Sequence, residues 1–125
     1  MSIALLNFIN EKMEELNINY EFGQWSTDPV PDPYFVGEYT ESETLEREES
    51  GLQDGTFIIT GTSRSWLLLE QEKEKIEKNI SQTAILPNGN GIAIFYAGAL
   101  IIPTGDAELK RIQININTKE WSVNI

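Results

Sequence analysis

The segment 106–110 carries the residues with the clearest chemical potential, two carboxylates and a lysine. On a strand, alternate side chains share a face, so Asp106, Glu108 and Lys110 would point the same way. Two carboxylates that bind Mg²⁺ beside a lysine form the centre of some metal-dependent nucleases. The pair Gly105-Asp106 also signals a turn, in which Asp106 caps the turn and the other two charges are solvated. A nuclease site would also need a basic surface to hold a phosphate backbone, and none accompanies these three residues. We therefore favour the turn.

The composition closes most other routes to catalysis. The 125 residues include no histidine and no cysteine, and the formal net charge is −11. Histidine is the usual general base near neutral pH, and His and Cys are the usual zinc ligands, so triads, thiol chemistry and ordinary zinc sites are excluded. An acidic chain also repels phosphate backbones and anionic lipids. What remains possible is carboxylate chemistry or no chemistry at all, and we expect no bound metal or cofactor, no tight binding of DNA and no membrane binding.

A second candidate site lies in the segment 61–65, Gly-Thr-Ser-Arg-Ser, between a predicted strand and a predicted helix. This context suits the binding of an anion at a helix N-terminus. The segment lacks the lysine and the glycine spacing of a P-loop. We expect a strand-to-helix turn in which the hydroxyl of Ser63 or Ser65 caps the helix.

Length and periodicity predict one α+β domain over residues 1–125, large enough to bury a core without crosslinks. Apolar residues at three- and four-residue steps predict two helices, at about 2–17 and 64–80. Aromatic, β-branched or alternating runs predict strands at 19–23, 34–40, 56–60, 92–97, 100–102 and 111–117, with Gly37 as a candidate bulge. Trp121, Val123 and Ile125 continue on the opposite parity, which predicts a bulge near Thr118 or a turn into a final strand. Together these elements predict a single mixed, mainly antiparallel sheet packed by two helices.

The segment at about 41–55 is strongly acidic and almost free of apolar residues, and we expect a mobile loop there. It has neither EF-hand spacing nor a glycine at the sharp turn, so calcium binding is not indicated. Long loops in small domains are often functional, so this loop is the first candidate for a partner surface. Its acidic residues are Glu41, Glu43, Glu46, Glu48, Glu49 and Asp54.

Three phrases and the order of the elements resemble the small tail-terminator, or tail-completion, proteins of long-tailed phages and prophages of Gram-positive bacteria. The phrases lie at 33–39, Pro-Tyr-Phe-Val-Gly-Glu-Tyr, at 56–61, Thr-Phe-Ile-Ile-Thr-Gly, and at 105–112, Gly-Asp-Ala-Glu-Leu-Lys-Arg-Ile. The similarity spans nearly the whole chain. It implies a mixed sheet with helices on one side and a hexameric ring that caps the tail tube and receives the head connector. It also implies a structural, non-enzymatic protein, found in the host cytoplasm during assembly and then in the virion tail.

In such a ring, we expect the six acidic residues either to face the lumen, where they would let DNA pass without gripping it, or to form a loop that orders against a neighbouring ring. The strand edge near residues 29–33 is a second candidate for a subunit contact, because three prolines interrupt the ladder there. Three alternatives stay open. They are a head-completion or connector protein of the same virion, a Mg²⁺-dependent nuclease using Asp106, Glu108 and Lys110, and an acidic adaptor or inhibitor that mimics nucleic acid.

Overall fold

A computed structural model describes residues 1–41 and 53–122 of the chain. These residues form two helices and one six-stranded, mostly antiparallel sheet, so the predicted α+β fold class is confirmed. The elements in chain order are α1 (Ile3–Glu15), β1 (Tyr20–Phe22), β2 (Tyr34–Glu41), β3 (Gln53–Ser63), α2 (Trp66–Asn79), β4 (Gln82–Ile85), β5 (Gly91–Ile101) and β6 (Lys110–Trp121).

Helix α1 forms where the periodicity predicts it and begins after an N-cap serine. The Ser2 hydroxyl accepts a hydrogen bond from the Leu5 amide, which satisfies one of the unpaired donors of the first turn. Leu5, Ile9 and Met13 recur at four-residue steps and are buried, so they form the core face of the helix.

Helix α2 begins in the same way and packs on the same side of the sheet. The Ser65 hydroxyl accepts from the Leu68 amide, and Leu69 and Ile76 are buried in the core cluster that also holds the buried residues of α1. Trp66 and Leu67, in the first turn, stay exposed. Both helices therefore cover one face of the sheet, as the resemblance implies.

The sheet is built around β3 and β6, which lie at its centre in the order β1-β2-β3-β6-β5-β4. The two strands pair antiparallel over their whole common length, from Gln53 opposite Glu120 to Ser63 opposite Lys110. On β6, the isoleucines at 112, 114 and 116 are buried against the helices, and the intervening polar residues lie on the open face. All neighbouring strands are antiparallel except β1 and β2, which run parallel.

Three predicted strand features are wrong, and the pairing of the strands explains each of them. Val123 and Ile125, on which part of the prediction for the last strand rests, lie outside the described residues. The register of β2 with β3 is continuous through Gly37, so no bulge occurs there. Strand β6 likewise continues in register through Thr118, and Trp121 lies on the open face, where its ring occupies the space that a side chain at Gly91 would need. Instead, the irregularity falls in β5 between Tyr96 and Ala99, which makes the two predicted runs one bulged strand. Strand β4 was not predicted at all.

The predicted loop at about 41–55 is shorter at both ends than the sequence suggests. Glu41 is the last residue of β2, and residues 53–55 already belong to β3, because they pair with residues 118–120 of β6. The acidic side chains at these ends are placed by a strand ladder.

Close packing at the centre of the sheet requires glycine at position 61. A methyl group there would lie 2.2 Å from Cε2 of Phe35, whose ring is completely buried. Gly61 itself lies in β3 directly opposite Phe35 and Ile112, so the aromatic ring fills the space above the glycine.

We expect Gly61→Ala to lower the free energy of unfolding by about 1–3 kcal/mol, because the added methyl group overpacks the core. Urea unfolding of Gly61→Ala, Phe35→Leu and the double variant would measure the coupling of the two positions. The double variant should lose less stability than the sum of the single variants. Additive losses would show that the clash is not with Phe35.

Candidate functional site

The segment 106–110 forms a turn followed by the start of β6, and its charged residues do not share a strand face. Asp106 lies in the turn, where its Oδ1 accepts a hydrogen bond from the Glu108 amide at 2.9 Å. Lys110 is the first residue of β6, and its ammonium group donates to the carbonyl oxygen of Ala107. The turn hypothesis is therefore correct for Asp106.

This geometry removes the argument for a nuclease site at these residues. The argument requires Asp106 and Glu108 on alternate positions of a strand, and both are instead exposed turn residues. Among residues 1–41 and 53–122, no three Asp or Glu side chains cluster closely enough to hold a metal ion.

The turn before α2 is capped by groups of the chain itself. The Asp32 carboxylate accepts hydrogen bonds from the Ser63 hydroxyl and, at 3.3 Å, from the Arg64 amide. The Ser63 hydroxyl in turn accepts from the Ser65 amide at 3.0 Å. An internal carboxylate thus accepts the hydrogen bonds of the turn that leads into the helix, and it ties the proline-rich segment to the start of α2.

The two described members of the acidic interaction set lie on opposite faces of the β2–β3 hairpin. Glu41 lies on the helix face, where it accepts from the Met1 ammonium group and, at 2.8 Å, from the side-chain amide of Gln53. Asp54 lies on the open face, is exposed, and stands opposite Lys119 of β6. Of these two residues, Asp54 presents its carboxylate to the open face. The Glu41 carboxylate instead binds the Met1 ammonium group on the helix face.

The other four members of this set, Glu43, Glu46, Glu48 and Glu49, lie outside the described residues. The described ends of the hairpin nevertheless fix where their segment is attached. Glu41 and Gln53 meet the end of β6 near Glu120, at the opposite end of the sheet from Ser63 and Lys110. The acidic segment is thus tethered at one end of the sheet, away from the start of α2.

A buried carboxylate at this end was missed by the sequence analysis. Glu120 is only 5% exposed and accepts from the Ser2 hydroxyl at 2.9 Å and from the Asn90 side-chain amide at 2.7 Å. These bonds join the start of α1, the turn before β5 and the end of β6. A single acidic residue near the end of the chain gives no signal of burial, although its alternation with Thr118 does place it on the core face.

The carboxylate of Glu21, in β1, binds the turn that follows this strand. It accepts from the Ser26 hydroxyl and amide and from the Thr27 hydroxyl, at 2.5, 3.2 and 2.9 Å. These hydrogen bonds favour the ionised form and hold the pKa of Glu21 below its ordinary value. Because this pKa is lowered in the folded state, the bonds stabilise the turn at neutral pH and weaken as the pH falls through the lowered pKa.

Three of the described lysines are already paired with glutamates on their own helices. The ammonium groups of Lys12, Lys73 and Lys75 lie 3.2, 2.8 and 2.8 Å from carboxylates of Glu15, Glu70 and Glu72. Such exposed pairs add little stability, but they offset the positive charge that a phosphate backbone would seek. Within the described ranges, no helix is long and apolar enough to cross a membrane.

No protein-family model matches this chain, and no curated protein matches it either.

We expect Asp32→Ala to lower the free energy of unfolding by about 1–3 kcal/mol, since it leaves the Arg64 amide and the Ser63 hydroxyl without their acceptor. The matched control is Asp28→Ala, which removes the same charge before another proline of this segment and should cost no more than about 0.5 kcal/mol. Urea unfolding and hydrogen exchange at the Arg64 amide would measure both effects. Equal stability of the two variants would contradict the capping role of Asp32.

Proposed function

We propose that this protein is a structural component of phage or prophage assembly that forms a ring, caps the tail tube and joins it to the head connector. The observation that carries the proposal is the fold, a mixed sheet with both helices on one face. This is the architecture that the resemblance to tail-terminator proteins implies. The resemblance alone supplies the place in the virion.

The charges and ion pairs of the described residues favour a role in assembly over catalysis or DNA binding. The described residues hold no cluster of metal-binding carboxylates, and three of their lysines are paired with glutamates. A ring through which DNA slides should not grip phosphate, because each Lys or Arg contact releases counterions and strengthens binding. A chain with a net charge of −11 meets this requirement.

The β2–β3 hairpin is the part of the chain that we assign to the lumen or to a neighbouring ring. Asp54 is exposed on the open face at this end of the sheet, and residues 43–49 add four glutamates and one arginine. Glu41 belongs to the same set and is also exposed, and its carboxylate in addition accepts a hydrogen bond from the Met1 ammonium group. Negative charge on the wall of a conduit repels DNA from the wall and so permits passage.

Fractionation of virions would test where the protein acts. In the phage that encodes this chain, tails purified from a mutant blocked in head assembly should contain the protein. A head-completion or connector protein would instead be found in heads purified from a mutant blocked in tail assembly. Absence from both fractions would contradict a structural role in the virion.

Neutralising the hairpin acids tests their assigned role. The variant carries Glu43, Glu46, Glu48 and Glu49 changed to Gln, and Asp54 changed to Asn. We expect an unchanged urea midpoint and a fall in infectious yield of about tenfold or more, because the wall of the conduit no longer repels DNA or no longer meets its neighbour.

The matched control removes five negative charges from exposed positions elsewhere, by changing Glu11, Glu14, Glu38, Glu74 and Glu77 to Gln. Its yield should stay near that of the wild type if position matters more than total charge. A normal yield from the hairpin variant would overturn the role assigned to these acids. Equal losses from both variants would show that the effect comes from net charge alone.

A further inference from the structure

One lateral edge of the sheet is only half covered. Strand β4 pairs with β5 from Gly91 to Ile94, and the Ser81 hydroxyl then accepts a hydrogen bond from the Tyr96 amide at 2.9 Å. Beyond that point, no strand among residues 1–41 and 53–122 pairs with the outer side of β5. We call residues 97–101 the β5 edge.

The hydrogen bonds to β6 show which main-chain groups point outward at the β5 edge. The Ile102 amide donates to the Arg111 carbonyl at 2.9 Å, so Ile102 faces β6. Residues of an antiparallel strand alternate between the two sides, so the amide and carbonyl groups of Ile101 and Ala99 point away from β6. Within the described ranges, no main-chain hydrogen bond to these two residues is formed from the outer side.

The side chains of the β5 edge are apolar on both faces of the sheet. Leu100 is 46% exposed on the open face, and Ile101 is 64% exposed on the helix face, opposite Ile112. The stretch 91–105 contains no charged residue at all. Natural edge strands are commonly protected from pairing by lysine, proline, inward-facing charges or β-bulges, and between Gly91 and Ile102 the irregularity before Ala99 is the one such device.

The opposite edge of the sheet is also open. In β1, the Asn19 carbonyl and the Gly23 amide bond to β2, so the alternating main-chain groups of Tyr20 and Phe22 point outward. We call Tyr20 and Phe22 the β1 edge. Phe22 is 42% exposed on the helix face, and no strand of the described chain covers it. This is the edge beside the prolines that the sequence analysis names as a candidate subunit contact.

The two edges differ in charge. Residues 1–41, which include β1, carry eight carboxylates and one lysine, whereas residues 91–122 carry three carboxylates and three basic side chains. Helix α2, above the second segment, adds four glutamates and three lysines. The charged residues are Glu11, Glu14, Glu15, Glu21, Asp28, Asp32, Glu38, Glu41 and Lys12 in the first segment, and Asp106, Glu108, Glu120, Lys110, Arg111 and Lys119 in the second.

This difference disfavours one pairing, and the proposed ring disfavours another, because two β5 edges that pair with each other form a closed dimer. Pairing of two β1 edges would bring two strongly acidic surfaces together, and like charges at close range repel. In contrast, pairing of the β5 edge with a β1 edge places an uncharged strand against the acidic surface around β1. The segment 91–122 that surrounds the β5 edge carries equal numbers of acidic and basic residues. We therefore infer that the β5 edge of one copy pairs with the β1 edge of the next copy. The inference rests on the proposed ring, and it names the contact that would build it.

Such a contact is heterologous, and repetition of a heterologous contact closes into a ring when the rotation permits. Strands β5 and β1 run in opposite directions within one subunit. In a ring whose axis runs along the strands, the two edges therefore meet antiparallel. The outward groups then match with Tyr20 opposite Ile101 and Phe22 opposite Ala99, and all four side chains lie on the helix face.

Charge substitution at the β5 edge would test the contact. Ile101→Lys places a charge on an edge that a neighbour must cover, and we expect the protein concentration at half-assembly to rise by about tenfold or more. The matched control is Ile3→Lys, because Ile3 is 77% exposed on α1 and lies on neither edge. Native mass and sedimentation of the full chain measure assembly, and urea midpoints show that both variants fold.

Cysteine crosslinking would test the register directly, since the chain has no cysteine of its own. Antiparallel partners that exchange hydrogen bonds have Cα atoms about 5.5 Å apart, which a disulfide can span. The double variant Phe22→Cys with Ala99→Cys should form a ladder of intermolecular oligomers on oxidation, and each single variant should not. A second pair, Phe22→Cys with Ile101→Cys, covers a register shifted by two residues.

Three results would overturn the inference. Assembly of Ile101→Lys at the wild-type concentration would show that the β5 edge is not the contact. Disulfide dimers of the single variant Ala99→Cys would show that two β5 edges pair with each other. A wild-type chain that stays monomeric, together with no crosslinking of either double variant, would rule out both pairings. None of these results would decide the place of the protein in the virion, which the fractionation of heads and tails tests separately.

Discussion

The pairing of β3 with β6 is the constraint on which the rest of the structure depends. These strands are far apart in the sequence, yet they pair over eleven positions and form the centre of the sheet. Their inward side chains, Phe57 and Ile59 on β3 and three isoleucines on β6, provide the surface on which both helices pack. Because β2 and β5 pair with the outer sides of these two strands, the positions of both open edges and of the strand ends that carry Glu41 and Asp54 follow from this pairing.

Local patterns in the sequence predicted the elements whose periodicity is strong. The alternation of isoleucine with polar residues on β6, and the four-residue spacing of Leu5, Ile9 and Met13, each encode a buried face directly. Strand β4 escaped prediction because Gln82–Ile85 is short, and only its partner β5 makes it a strand. The bulge was misplaced for a similar reason: the parity of Trp121 indicated an irregularity, but the space over Gly91 lets its ring sit on the open face without one.

Polar residues were the least predictable part of the chain, since their roles depend on partners distant in sequence. The sequence indicated that Asp106 belongs to a turn, which local hydrogen bonds to Thr104 and Glu108 explain. Nothing in the sequence marks Asp32 as the cap of the turn before α2, or Glu120 as the buried acceptor beneath Ser2 and Asn90. Within the acidic hairpin, the same limit separates Glu41, which holds the amino terminus, from Asp54, which is exposed.

The proposed function joins an acidic surface that does not grip DNA with two open sheet edges of different charge. The native mass of the full chain over a wide concentration range, alone and with added tail tubes, tests this combination most directly, with negative-stain images of the same samples. We expect rings of about six subunits in at least one of the two conditions. A monomer in both conditions would contradict the proposal that this chain works as a ring.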